Sequence, residues 1–150
     1  KLHESGLIPL LEKRVLQNKV PILGICLGAQ LMTKRSDEGT TLGLGWVDAE
    51  TVKFESARMP ENYKIPHMGW NYVKPQKNVA LFDNLPEASR FYFTHSYHLK
   101  MNNPADEWLT AHYGYDFCAA YQTENIFACQ FHPEKSHKFG MQLLKNFVAL

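Results

Sequence analysis

The chain has 150 residues, of which 45% are hydrophobic and 21% are charged, a length and balance typical of one soluble globular domain. Its formal net charge of +1 excludes the strongly basic composition of proteins that bind nucleic acid or anionic membranes. No apolar run approaches the roughly 20 residues that a membrane-spanning helix needs.

The hydrophobic pattern predicts a helix, a buried strand and a second helix at the start of the chain. Leucine and valine side chains fall on one face of residues 4–18 at a helical period. Residues 20–25 are a continuous apolar run with β-branched members, typical of a strand buried on both faces of a parallel sheet. Residues 27–34 return to helical character. This order of elements predicts an α/β layered fold.

The pattern changes after a polar, glycine-rich loop over residues 34–45. Short runs rich in aromatic and β-branched residues follow, separated by Pro, Asn, Asp and Gly, which indicates strands and turns. These runs are residues 46–54, 67–75, 90–100, 107–114, 117–124 and 125–134. Residues 137–150 carry the apolar stripe of a final helix.

The three cysteines differ in their surroundings. Cys26 lies in Gly24-Ile25-Cys26-Leu27-Gly28, where the first predicted strand turns directly into a helix. Such a turn strains its central residue, requires small neighbours and exposes the sulfur at the top of the sheet. The helix N-terminus favours a thiolate, so we expect a lowered pKa for the Cys26 thiol. Cys26 is a candidate nucleophile or a buried apolar cysteine, whereas Cys118 and Cys129 fit the second description.

The cysteine count also indicates the compartment. Three cysteines are an odd number, and none of them form a CxxC pair. This usage favours a reducing compartment, the cytoplasm, over a disulfide scaffold or a structural zinc site.

The segment after the last predicted strand supplies a base for Cys26. Residues two apart on an extended backbone point to the same side, and Pro133 biases His132 toward extended geometry. Glu134 can then hold one imidazole nitrogen of His132 while the other takes a proton from Cys26. Both motifs follow strands at their carboxyl ends, where open α/β sheets build their sites.

The segments GICLGAQL and QFHPEKS resemble the signatures of class I glutamine amidotransferases. PHMGWN at residues 66–71, FYFTHSYH at residues 91–98 and the closing LLKNF further resemble glutaminase subunits of imidazole glycerol phosphate synthase, an enzyme of histidine biosynthesis. The resemblance covers essentially the whole chain. It implies a flavodoxin-like three-layer α/β fold with a central, mostly parallel sheet, forming a single amidotransferase domain over residues 1–150.

Members of this family have strands and a helix before the first predicted helix, including a Pro-Gly-Val-Gly-like oxyanion segment that is not found in this chain. We therefore expect a partial domain whose sheet lacks its first strands. A sheet without these strands exposes unpaired N–H and C=O groups at its edge. The fragment alone is expected to be a poor glutaminase.

The resemblance implies hydrolysis of glutamine to glutamate and ammonia without a metal or a cofactor. Cys26 would attack the side-chain amide carbon, His132 would shuttle the proton, and Glu134 would orient His132. The implied glutamine-binding positions are Leu27, whose N–H suits a developing oxyanion, and Gln30, Ser96 and Tyr97. The alternative is that Gln30 is only a polar surface residue of a helix and that Ser96 and Tyr97 are ordinary strand residues.

The resemblance also implies a partner, a cyclase subunit of the (β/α)8 barrel type that consumes the ammonia in a heterodimer. The positions that match partner-facing segments are Met68, Trp70, Asn71, Tyr92 and Lys135. Trp70 and Tyr92 can equally be core aromatic residues. The alternatives are a paralogous amidotransferase subunit in surface-sugar biosynthesis, a non-catalytic domain that docks a partner, and a cysteine hydrolase with an unrelated substrate.

Overall fold

The computed structural model describes residues 2 and 4–150, so Lys1 and His3 of the predicted domain lie outside the described residues. The helices are α1 (Ile8–Glu12), α2 (Leu27–Leu31) and α3 (His137–Val148), and a π-helical segment, Lys13–Gln17, continues α1. The strands are β1 (Ile22–Ile25), β2 (Ala49–Lys53), β3 (His67–Pro75), β4 (Arg90–His95), β5 (Tyr97–Met101), β6 (Glu107–Tyr113), β7 (Tyr115–Thr123) and β8 (Ile126–Cys129).

The described strands join in one mixed sheet. Its main order is β1-β8-β7-β6-β3-β4, while β5 pairs with β7 and with β2. The pair β1 and β8 is parallel, and the other pairs of named strands are antiparallel. The expectation of a mostly parallel sheet is therefore wrong for the described residues. Tight turns join β6 to β7 and β7 to β8, and such connections produce antiparallel pairs, whereas a parallel pair needs a long crossover.

Apolar side chains cover both faces of the sheet around β8. Ile126 and Ala128 belong to one core cluster, whereas Phe127 and Cys129 belong to the other. This alternation follows from the two-residue period of a strand. The cluster that contains Ile126 packs against α2 and the π-helical segment, and the cluster that contains Phe127 packs against α3 through Leu143. The α/β layering that the sequence predicts is confirmed.

The helices are shorter than the sequence predicts. The helix expected over residues 4–18 is observed as α1 and the π-helical segment, and the helix expected over residues 27–34 ends at Leu31. With 12 residues, α3 is the longest helix in the described part of the chain. No helix formed by residues 2 and 4–150 has the length and apolar character needed to cross a bilayer.

Candidate active site

Cys26 lies between β1 and α2 in a strained backbone conformation, as the turn predicts. Its φ is 48° and its ψ is −105°, a combination that L-residues rarely adopt. The Cys26 N–H donates to the carbonyl oxygen of Cys129 at 2.8 Å, and the Cys26 carbonyl accepts from the Gln30 N–H at 3.2 Å. Cys26 therefore both continues the pairing of β1 with β8 and begins α2. These two hydrogen bonds fix its backbone and with it the direction of its side chain.

Packing requires only one of the two glycines that flank the turn. A Cβ on Gly24 would lie 2.4 Å from Met32 Cε and 2.8 Å from the backbone nitrogen of Ala29. A Cβ on Gly28 would meet nothing within 4 Å. The expectation that both neighbours of the cysteine must be small is confirmed for Gly24 and wrong for Gly28.

Gly24→Ala and Gly28→Ala should therefore change stability in different ways. Gly24→Ala forces a methyl group against the backbone of α2 and should lower the free energy of unfolding by about 1–3 kcal/mol, the usual effect of overpacking. Gly28 lies in α2 with free space around its Cα, so Gly28→Ala should leave the free energy of unfolding unchanged or raise it by up to about 1 kcal/mol. Urea unfolding measures both variants against the wild type, and equal losses would contradict this packing argument.

Burial dominates the environment of the Cys26 thiol. Burial raises the pKa of the Cys26 thiol, while the Leu27 N–H and the Gln130 side-chain amide, 3.7 Å from the sulfur, act in the opposite direction. Smaller effects come from the Glu134 carboxylate, which raises this pKa, and from Lys135, which lowers it. The expected lowering is wrong because the five-residue helix α2 does not compensate for desolvation. A thiolate at Cys26 therefore needs a base nearby.

His132 and Glu134 form the predicted pair. His132 Nδ1 lies 2.6 Å from Glu134 Oε1, and the His132 side chain is 16% exposed. The His132 N–H donates to the Tyr92 carbonyl oxygen at 2.8 Å, and the Ser136 hydroxyl donates to the His132 carbonyl at 2.6 Å. These bonds fix the backbone of the segment. No group among residues 2 and 4–150 hydrogen-bonds His132 Nε2, so this nitrogen is available as a base.

The parallel pair β1 and β8 brings the cysteine and the histidine to one edge of the sheet. Ile25 lies opposite Cys129, so Cys26 and Gln130 follow neighbouring strands at their carboxyl ends. The Gln130 amide nitrogen contacts the Cys26 sulfur, and the Glu134 carboxylate is close enough to influence its pKa.

A cavity of about 360 Å³ opens beside the Cys26 sulfur. All four predicted glutamine-binding residues line it together with Cys26: Leu27, Gln30, Ser96 and Tyr97. Leu27 is an exposed residue at the start of α2, and Ser96 separates β4 from β5. The structure thus collects residues from α2 and from the β4–β5 junction, far apart in the sequence, around the candidate nucleophile.

Gln30 and Gln130 form a buried pair behind this cavity. The Gln30 amide nitrogen donates to Gln130 Oε1 at 3.1 Å and to the Tyr97 carbonyl oxygen at 3.3 Å. Its side-chain oxygen accepts no hydrogen bond from any described residue, so it is available to a ligand in the cavity. Gln130 was not predicted as a site residue; its sequence signal is a polar residue directly after an apolar strand, and its full burial appears only in the fold.

The predicted partner-facing residues do not all lie on one face of the protein. Met68 and Trp70 are 61% and 41% exposed, so Trp70 is not a core residue. The half-buried Tyr92 lies opposite Trp70 on β4, with 6.2 Å between the ring centroids. We call Met68, Trp70 and Tyr92 the β3–β4 aromatic face. Lys135 is exposed on the short 3₁₀ turn Pro133–Lys135.

Asn71 does not belong to the β3–β4 aromatic face. As the strand neighbour of Trp70, it points to the opposite side of β3. Its side-chain amide donates to the His112 carbonyl oxygen at 2.8 Å and lies 3.3 Å from His67 Nε2. Asn71 was predicted from the same motif as Trp70, but the two-residue period of a strand puts the two side chains on opposite faces of β3.

Comparison with known proteins agrees with this geometry. The family described as glutamine amidotransferase class-I matches residues 4–150. The chain therefore belongs to the class-I glutamine amidotransferase family.

Its curated relatives have a narrower description. Imidazole glycerol phosphate synthase subunit HisH 2 of Pseudomonas aeruginosa is 48% identical over 149 residues, which cover 99% of this chain and 72% of the relative. The protein of the same name from Methanococcus maripaludis is 51% identical over 147 residues, which cover 98% of this chain and 71% of the relative. The resemblance predicted from the motifs at residues 66–71 and 91–98 is confirmed.

A solved structure supports the fold. A protein of Thermoplasma acidophilum, described as a subunit of GMP synthase, superimposes with a TM-score of 0.66 at 25% identity. The alignment covers 95% of this chain and 62% of that chain. The predicted class I amidotransferase fold is confirmed at this level.

Proposed function

We propose that this protein is the glutaminase subunit of an imidazole glycerol phosphate synthase, which hydrolyses glutamine and supplies ammonia for histidine biosynthesis. The observation that carries the proposal is that Cys26, the His132–Glu134 pair and the cavity lined by Gln30 lie at one edge of the sheet. The relatives named as synthase subunits support this pathway over surface-sugar biosynthesis.

The geometry suits acyl transfer through a thioester. His132 Nε2 takes the proton of the Cys26 thiol, since Nδ1 is held by Glu134, and the sulfur attacks the side-chain carbonyl carbon of glutamine. The Leu27 N–H donates to the oxyanion that develops. His132 then gives its proton to the leaving ammonia. Water, deprotonated by His132, attacks the thioester; the C–S bond breaks, glutamate is released, and the Cys26 sulfur takes the proton back from His132. A thiol nucleophile must stay reduced, which favours the cytoplasm.

The cavity fits a role in holding the rest of the substrate. In this proposal Ser96 and Tyr97 bind the α-amino and α-carboxylate groups of glutamine, and Gln30 offers its side-chain oxygen as an acceptor; the position of all three in the lining of the cavity supports it. The hydrogen bonds of Gln30 to Gln130 and Tyr97 keep that oxygen directed.

Glutamate release by the full-length protein, on its own and mixed with the cyclase subunit, tests the proposal. We expect glutamine-dependent release of glutamate in the mixture. Complex formation with no release above the rate in buffer would contradict the proposal and would favour a non-catalytic docking domain.

We further propose that the β3–β4 aromatic face and Lys135 bind the cyclase subunit, which is a (β/α)8 barrel. Exposed Trp and Tyr side chains are the residue types that anchor protein interfaces. This face also adjoins the catalytic segment, because the Tyr92 carbonyl accepts the His132 N–H at 2.8 Å. A partner seated here could receive ammonia before solvent protonates it.

Trp70→Ala should weaken binding of the cyclase subunit by at least about thirtyfold, the effect of losing about 2 kcal/mol at an interface anchor. Val148→Ala is the control because Val148 is 85% exposed and is the last residue of α3, whereas it is the first residue, His137, that stacks on Trp70. Isothermal titration calorimetry measures both dissociation constants. Equal affinities for the Trp70→Ala variant and the wild type would exclude this face as the interface.

A further inference from the structure

We propose that His67 and His95 are positioning residues for glutamine. The two histidines hold the Tyr97 carbonyl through a directional chain of hydrogen bonds that begins at Asn71. This inference rests on the proposed glutaminase function and deepens it. It assigns a role to two histidines that the mechanism above does not use.

The hydrogen bonds form a continuous line through the interior. Asn71 Nδ2 lies 3.3 Å from His67 Nε2, and His67 Nδ1 lies 2.9 Å from His95 Nε2. His95 Nδ1 lies 2.7 Å from the Tyr97 carbonyl oxygen. Both histidines are buried and lie opposite each other in the antiparallel pair of β3 and β4.

The ends of the line fix the direction of every bond. Burial lowers the pKa of His67 to about 4, and burial together with the neighbouring histidines lowers that of His95 to about 3. Each ring is therefore neutral at pH 7, with one donor and one acceptor. A carbonyl oxygen only accepts, so His95 Nδ1–H donates to Tyr97, and His95 Nε2 must accept from His67 Nδ1–H.

The start of the line agrees with this assignment. With its proton on Nδ1, His67 must accept at Nε2, and the Asn71 amide nitrogen is the donor there. The orientation of the Asn71 amide is fixed independently, because the same nitrogen donates to the His112 carbonyl oxygen. All four ring nitrogens are used, and one arrangement of protons satisfies them.

The line ends at the wall of the glutamine cavity. The Tyr97 carbonyl oxygen accepts from His95 Nδ1 and from the Gln30 amide nitrogen. His95 itself, with Ser96 and Tyr97, lines the cavity beside Cys26. The Tyr97 carbonyl is thus the point where the β4–β5 junction is tied to α2, and loss of the His95 donor should loosen substrate binding more than the chemical step.

A purely structural role is the competing explanation. His67 stacks on Tyr113 and Phe93 with ring centroids 4.0 Å and 4.8 Å apart, so these rings also contribute to packing. A structural role predicts that replacements of His95 change thermal stability alone. A positioning role predicts that the KM for glutamine depends on which hydrogen bond a replacement keeps.

Two variants of His95 separate these roles. In His95→Asn the amide nitrogen takes the place of Nδ1 and can still donate to Tyr97. In His95→Gln the longer side chain reaches the place of Nε2 and can accept from His67, but the donor to Tyr97 is lost. In the full-length protein with the cyclase subunit, we expect the Asn variant to keep KM within about threefold, and the Gln variant to raise it about tenfold or more, with smaller changes in kcat. Equal KM values for the two variants would overturn the positioning role.

Nitrogen-15 NMR of the histidine rings tests the line without any need for activity. We expect His67 and His95 of the full-length protein to be neutral Nδ1–H tautomers at pH 7. A proton on Nε2 of either ring would overturn the inference. If these tautomers are found but the wild type releases no glutamate, the proposed function fails while the hydrogen-bonded line stands. If the wild type is active and the two variants share one KM, only the positioning role fails.

Discussion

Cys26→Ala should lower kcat for glutamate release at least about ten-thousandfold in the full-length protein with its partner, because a thioester mechanism has no substitute for its nucleophile. Cys26 is placed for this role by the strained turn after β1, by the Gln130 amide at its sulfur and by the cavity beside it. Glutamate appearance under saturating glutamine measures the effect.

Cys118→Ala is the matched control for this variant. Cys118 is buried on β7 and does not line the cavity beside Cys26, so its replacement should leave kcat within about twofold. If the Cys26→Ala variant released glutamate as fast as the Cys118→Ala variant, the role of Cys26 as the nucleophile would be contradicted.

Glu134→Gln should have the second-largest effect, a loss of kcat of about a hundredfold to ten-thousandfold. The carboxylate can only accept from His132 Nδ1, which leaves Nε2 unprotonated and ready to act as a base. An amide can donate to Nδ1 and so favour the tautomer that carries its proton on Nε2. It also lacks the charge that stabilises the imidazolium form.

Glu124→Gln is the control for Glu134→Gln. Glu124 is an exposed carboxylate whose partner is Lys19, and neither residue lines the cavity at Cys26. Its replacement should leave kcat unchanged, since exposed ion pairs contribute little. Equal rates for the two variants would show that Glu134 does not set the tautomer of His132.

Local sequence patterns predict the elements well where one pattern defines one element. The run 67–75, predicted from its aromatic and β-branched residues, coincides with β3, whose side chains alternate between two faces along the whole strand. The run 90–100 divides at Ser96, since β4 pairs with β3 whereas β5 pairs with β2 and β7. The choice of strand partners, and with it the antiparallel character of the sheet, depends on contacts distant in sequence that no local pattern contains.

The parts of the candidate site that are local in sequence were predictable, and the parts that depend on contacts distant in sequence were not. The frame of Cys26 and the contact between His132 and Glu134 are each contained within a few residues. The pKa of Cys26 depends on how deeply the fold buries the sulfur, so the local helix argument gave the wrong direction. The pairing of His67 with His95 depends on the register of β3 and β4, which the sequence alone does not give.

The central claim is that a thiol, raised in pKa by burial, is activated by an imidazole that a carboxylate orients. Covalent labelling of the full-length protein by the glutamine analogue diazo-oxo-norleucine, read by peptide mass spectrometry, tests it most directly. We predict label on Cys26 alone, at a rate that His132→Ala lowers about a hundredfold or more. Label on Cys118 or Cys129 instead of Cys26, or an unchanged rate in His132→Ala, would contradict the account.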